Sequence, residues 1–140
     1  MKILIAADGS EYTKRMLAYI AAHDEWLGAR HEYTVVHSVL AVPPRAAAFV
    51  SAEVVTRFHD DDAETVFRPI RAFLEQQGIH AGYVYTIGHA AESIAKMAQD
   101  GRYDLLMMGA RGNGDLANLI LGSVATKVIA SCTVPVLLVR

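Results

Sequence analysis

Five short apolar runs, separated by stretches of helical periodicity, constrain this chain more than any other feature. The runs cover residues 3–7, 33–40, 83–87, 105–108 and 134–139. Short runs bounded by turn residues read as strands. The first intervening segment starts at Ser10, a fair N-cap with Glu11 in the first turn. It continues through Met16, Ile20, His23 and Leu27 to Gly28, which predicts one helix over residues 11–27. Residues 51–77 carry Val55, Phe58, Val66, Ile70, Phe73 and Leu74 at helical spacing. Pro69 lies inside that pattern and predicts a kink or a break. Pro43 and Pro44 mark a loop before it, and the run Asp60-Asp61-Asp62 with Glu64 reads as a solvated helix face. A shorter helix is expected over residues 90–99, and another after a glycine-rich stretch, ending near Ser131.

Strands alternating with helices predict an α/β fold with a doubly wound, open, parallel sheet and helices on both faces. The expected sheet has five strands in the order 3-2-1-4-5. With 140 residues and neither repeat nor linker, residues 1–140 read as a single domain. Apolar residues reach 53% and charged residues 20%, which excludes intrinsic disorder. That balance fits strands covered on both faces, or a surface that a partner covers. A net charge of -2 gives no basic footprint for nucleic acid. The single cysteine, Cys132, excludes an internal disulfide and a four-cysteine zinc site. The histidines are scattered and no HExxH spacing occurs. No apolar run suits a signal segment or a membrane span, so a cytoplasmic protein without membrane contact is expected.

In open α/β sheets ligands bind beyond the carboxyl ends of the strands, where strand order reverses. The expected order makes the turn Asp8-Gly9-Ser10 face the stretch Gly109-Ala110-Arg111-Gly112-Asn113-Gly114-Asp115. Glycines let backbone N–H groups approach a phosphate. Gly122-Ser123 offers a second helix start, with Ser123 as N-cap. Glycine content alone leaves a simple connecting turn equally open. No GxxxxGK[ST] motif is present. The G-x-G-x-x-A match at residues 112–117 follows the fourth strand and lacks the acidic residue expected later, so it reads as accidental.

The spacing Gly109-x2-Gly112-x9-Gly122-Ser123 resembles the ATP-binding signature of the universal stress protein family. The resemblance extends along the chain, through Asp8-Gly9-Ser10, Val35-Val36-His37-Ser38-Val39, Leu121-Gly122-Ser123-Val124-Ala125 and Val134-Pro135-Val136-Leu137-Leu138-Val139. It implies an ATP site, with or without Mg²⁺, though no residue is assigned to a metal. Asp8 is then expected by the ribose and adenosine end, or acting through a metal. Ala7 flanks the base, and Ser38 meets adenine largely through backbone groups. Gly109, Arg111 and Gly112 wrap the phosphates, which Gly122, Ser123 and Val124 bind through N–H groups and a hydroxyl. Arg111 is the positive side chain of the loop and either pairs with a phosphate or points to water. Asp115 reads as a helix N-cap rather than a phosphate ligand.

The resemblance also implies a homodimer formed through the last strand, 134–139. This agrees with the liability of an uncharged edge strand and with two-fold pairing. No base with an arginine clamp stands out, so slow or no ATP hydrolysis is expected from a sensor or regulator. The alternatives are an interaction module of the same fold that binds no nucleotide, and a weak ATP-using enzyme. His37 reads as a hydrogen-bonded structural histidine and Cys132 as inert. Trp26 and Tyr19 read as packing; Tyr12 does too, although it is near enough to approach the site.

Overall fold

A computed structural model describes residues 1–114 and 118–140. The chain runs β1 (Lys2–Ala6), α1 (Glu11–Ala22), α2 (Asp24–Leu27), β2 (Glu32–Val39), α3 (Pro44–Ala47) and α4 (Ala52–Gln76). It continues through β3 (Ala81–Ile87), α5 (Ala90–Asp100), β4 (Leu105–Gly109), α6 (Ser123–Ser131) and β5 (Val136–Val139). The five strands form one parallel sheet in the order β3-β2-β1-β4-β5, as expected. Strand order reverses at β1, which pairs with β2 on one side and β4 on the other; Ala6 lies opposite both Val36 and Met108.

Alternation along β1 sends Ile3 and Ile5 to one face and Leu4 and Ala6 to the other, and all four are buried. On the first face they meet Met16, Leu17 and Ile20 of α1 and Phe67, Ile70 and Leu74 of α4. On the second they meet Ile94 and Ala98 of α5 and Val128 of α6. A central strand covered on both sides must be apolar at every position, which is why the run lacks a polar alternation. The edge strands differ. β3 alternates half-buried and exposed residues, and three of the four β5 residues are only half-buried.

The sequence-based expectations need local corrections. The helix expected over residues 11–27 is interrupted at His23, whose φ of -124° and ψ of 45° leave the helical region. The His23 ring supplies the reason. Its Nδ1 lies 2.8 Å from the Tyr19 carbonyl, the acceptor that the His23 N–H would use in a continuing helix. The His23 N–H turns instead to the Ile20 carbonyl, and the ring stacks on Tyr19 at 4.0 Å. Pro69 does not break α4, which runs 25 residues. It sits on the solvent face, where water can satisfy the Thr65 carbonyl that it leaves without a helical donor. The segment at Pro43-Pro44 contains the short helix α3, with Pro44 at a first-turn position that tolerates a missing N–H. The last strand begins at Val136 rather than Val134; Pro135 only accepts, from the Leu106 N–H at 2.9 Å. No helix among the described residues is long and apolar enough to cross a membrane.

Candidate functional site

The site begins where β1 ends. Ala7 extends the pairing by donating its N–H to the Val36 carbonyl at 2.9 Å. Gly9 then adopts φ +77°, a left-handed conformation that turns the strand into α1 without the strain a side chain would bring. Thr13, one turn into that helix, secures the turn. Its Oγ1 accepts from the N–H groups of Asp8 and Gly9 at 3.1 and 3.2 Å and donates to Asp8 Oδ1 at 3.0 Å. The Ser10 N–H donates to the same oxygen at 3.0 Å. Ser10 does occupy the N-cap position, but its hydroxyl makes no capping bond. The Asp8 carboxylate has taken over that corner.

Asp8 also reaches across the reversal point. Its Oδ2 accepts from the Asn113 N–H at 2.9 Å, and its carbonyl accepts from Asn113 Nδ2 at 3.0 Å. These two bonds join the first turn to the glycine loop, 105 residues away. Burial pushes the Asp8 carboxyl up, but the hydrogen bonds from Ser10, Asn113 and Thr13 outweigh it and hold the group below its ordinary 3.8. The site therefore carries a fixed negative charge at neutral pH.

The loop is pinned on its other side. The Ala110 N–H donates to the Val139 carbonyl at 2.8 Å, and the Ala110 carbonyl accepts from the Gly122 N–H at 2.7 Å. Gly122, not Ser123, is the N-cap of α6. Its extended backbone (φ -75°, ψ 166°) and its carbonyl, which accepts from Thr126 N at 3.0 Å, make it the flanking residue. Ser123 and Val124 are thus the first two helical residues, whose N–H groups have no intrahelical acceptor and sit at the positive end of the helix dipole. Gly109 serves packing. A Cβ there would lie 2.6 Å from Tyr12 Cβ and 3.1 Å from the Arg111 carbonyl. Arg111 donates through Nη2 to the Tyr12 hydroxyl, and its guanidinium carbon lies 4.9 Å from the Tyr12 ring centre.

At the far end, His37 holds its Nδ1 2.9 Å from the Ala7 carbonyl. A carbonyl only accepts, so Nδ1 carries the proton. The Ser38 hydroxyl donates to the Gly88 carbonyl at 3.1 Å.

Together these elements enclose one cleft. Ala7, Asp8, Ser38, Gly109, Arg111, Gly112, Gly122, Ser123 and Val124 all line it, as do Thr13, His37, Ile94 and Asn113. Sequence reasoning missed Thr13 and Asn113. The only signals were a hydroxyl one turn into α1 and an amide inside the glycine loop. Asp115 lies outside the described residues. Among the described residues no group of three or more His, Cys, Asp or Glu is arranged to hold a metal. The arrangement offers backbone donors and a guanidinium for an anion at one end, and a carboxylate acceptor for a hydroxyl beside it.

The universal stress protein family model matches residues 1–140. A universal stress protein of Thermus aquaticus, described by its place in the QAH/OAS sulfhydrylase 3′ region, is 36% identical over 138 residues, covering 99% of this chain and 97% of that protein. The solved structure of the Methanocaldococcus jannaschii universal stress protein MJ0577 superposes with a TM-score of 0.81 at 27% identity, covering 99% of this chain and 94% of that one. The Archaeoglobus fulgidus universal stress protein in complex with dAMP shares the fold, with a TM-score of 0.70 at 19% identity over 100% of this chain and 98% of that one. With a family match along every residue and a relative this similar over nearly its whole length, the chain belongs to the universal stress protein family.

Proposed function

We propose that this chain binds ATP across the cleft and acts as a homodimeric, nucleotide-dependent sensor or regulator with slow or no hydrolysis. The observation that carries the reading is the pair of bonds between Asp8 and Asn113. They hold a carboxylate and a row of backbone donors along one cleft at the strand-order reversal. In this reading Ala7 and Ser38 take the base, and ionised Asp8 accepts from a ribose hydroxyl. Gly109, Arg111, Gly112, Gly122, Ser123 and Val124 surround the phosphates. The dAMP held by the Archaeoglobus fulgidus protein of the same fold supports an adenine nucleotide as the ligand class.

Magnesium usually keeps several waters and binds through one or two carboxylates plus the phosphates. Asp8 is the carboxylate at hand among the described cleft residues, and both of its oxygens already accept hydrogen bonds. Asp8 would then be the residue to hold a magnesium ion brought in with the nucleotide, and the ion would neutralise phosphate charge. Turnover needs a positioned water and stabilisation of the transferring group. His37 is tied to Ala7 and Arg111 to Tyr12, an arrangement that favours holding ATP over cleaving it. The dimer in this reading forms by antiparallel pairing of two β5 edges, whose residues carry no charge.

The experiment is to denature purified protein and chromatograph the released nucleotide, then to measure thermal stability with and without ATP. Adenine nucleotide is released and ATP raises the melting temperature; Gly122→Val, which places a branched side chain at the α6 N-cap, removes that rise. No released nucleotide and no stabilisation by millimolar ATP would refute the reading.

A further inference from the structure

We propose that Tyr12 is a positioning residue that holds Arg111 at the phosphate end of the cleft, so that the pair selects a nucleoside polyphosphate over the bare nucleoside. The inference rests on the ATP-binding reading and adds the residue that sets its selectivity. Tyr12 stands in the first turn of α1, and its backbone is pressed against the end of β4. The 2.6 Å approach of a Gly109 Cβ to Tyr12 Cβ shows that no side chain fits between them. Tyr12 Cβ is thereby held close to the strand that launches the loop.

Arg111 leaves that strand two residues later and comes back onto the ring. It makes both a hydrogen bond to the hydroxyl and a cation–π contact at 4.9 Å. A mobile arginine side chain loses rotamer freedom when it is ordered for a ligand. Here the ring and the hydroxyl order it beforehand, and a preorganised donor binds more tightly than a mobile one. A second guanidinium, Arg15, also lies 4.9 Å from the same ring centre, so positive charge flanks Tyr12 twice. Arg15 is exposed and shared with Glu11 at 3.9 Å, so it adds field rather than contact.

Selectivity follows from where this charge sits. Arg111 lies beyond the β4 end of the cleft, with Gly122 and Ser123. Ala7 and Ser38 lie at the β1 and β2 ends. A ligand with its base at Ser38 and its tail at Ser123 meets the guanidinium only through the tail. Among the described cleft residues Arg111 is the one Lys or Arg. Its placement therefore changes affinity for phosphates and leaves the base and sugar contacts alone.

The test is equilibrium binding of ATP and of adenosine by calorimetry. It uses the whole chain, Tyr12→Phe, Tyr12→Ala, Arg111→Ala and the double variant Tyr12→Ala with Arg111→Ala. Tyr12→Ala should weaken ATP by about 3- to 10-fold, the range open to a cation–π contact, with adenosine affinity unchanged. Tyr12→Phe keeps the ring and should lose less. In the Arg111→Ala background Tyr12→Ala should cost nothing further, the non-additivity expected when one residue acts through another. If Tyr12→Ala fails to fold, Tyr12→Phe alone and in the Arg111→Ala background carries the same comparison. An equal loss for ATP and adenosine, or additive losses, overturns the assignment while the ATP reading stands. A parent chain that binds neither ligand removes both.

Discussion

Replacing Asp8 by Asn tests whether one carboxylate holds the two halves of the cleft together. Among the described residues the Asp8 side chain takes hydrogen bonds from Ser10 N and Thr13 Oγ1 at 3.0 Å, and from Asn113 N at 2.9 Å. An asparagine oxygen can keep the first two. Its amide then faces the Asn113 N–H, donor against donor, and the loop loses its tie. Hydrogen bonds to a charged group contribute about 1.5–3 kcal/mol, and the Asn113 bond is exposed, so the lower end, about 1.5–2 kcal/mol, is expected. For a chain of this size that lowers the melting temperature by about 4–8 °C.

The pH dependence gives the sharper test. The folded-state pKa of Asp8 lies below 3.8, and an unfolded aspartate titrates near 3.9, so the ionised group favours the folded state. Its contribution is complete above about pH 5 and disappears as pH falls through the lowered value. Thermal unfolding followed by circular dichroism should therefore show the full gap between parent and variant near neutrality. The gap should narrow in strong acid, where both carry a neutral side chain. A gap of the same size at both pH values, or none at neutral pH, would refute the charge-based account.

Two further outcomes follow from the packing. Gly109→Ala forces the 2.6 Å contact with Tyr12 Cβ to open and should cost about 1–3 kcal/mol in thermal unfolding, the usual penalty of overpacking. Gly82→Ala, whose Cβ would meet nothing nearer than 3.8 Å, is the neutral control, and equal losses at both positions would remove the packing argument. In the proposed dimer, Leu137→Lys puts a charge on the β5 edge strand and should give monomer or insoluble protein in sedimentation; an unchanged soluble dimer would exclude pairing through that edge.

The sheet was legible because its central strands are covered on both sides. Residues 3–7 and 105–108 are apolar at every position for that reason, and the helical segments between strands impose parallel crossovers. The glycine and serine spacing was legible because it is local. What escaped depends on single side chains meeting groups that no pattern announces. The break at His23 comes from an imidazole capturing the carbonyl one turn back. The continuity of α4 through Pro69 depends on that residue facing water. The N-cap of α6 moved from Ser123 to Gly122 because the Gly122 N–H reaches back to Ala110. Asn113 matters only because folding brings it to Asp8.

The contact between Gly109 and Tyr12 changes how the glycine pattern can be used as a diagnostic. The first glycine of the signature is demanded by a helix seated on the end of β4, whether or not any ligand is present. A chain of this fold that had lost its nucleotide would still be held to glycine there, because folding filters that position before binding does. Finding this glycine therefore reports architecture, and only the later positions of the pattern can discriminate a binder from a relative that keeps the shape alone.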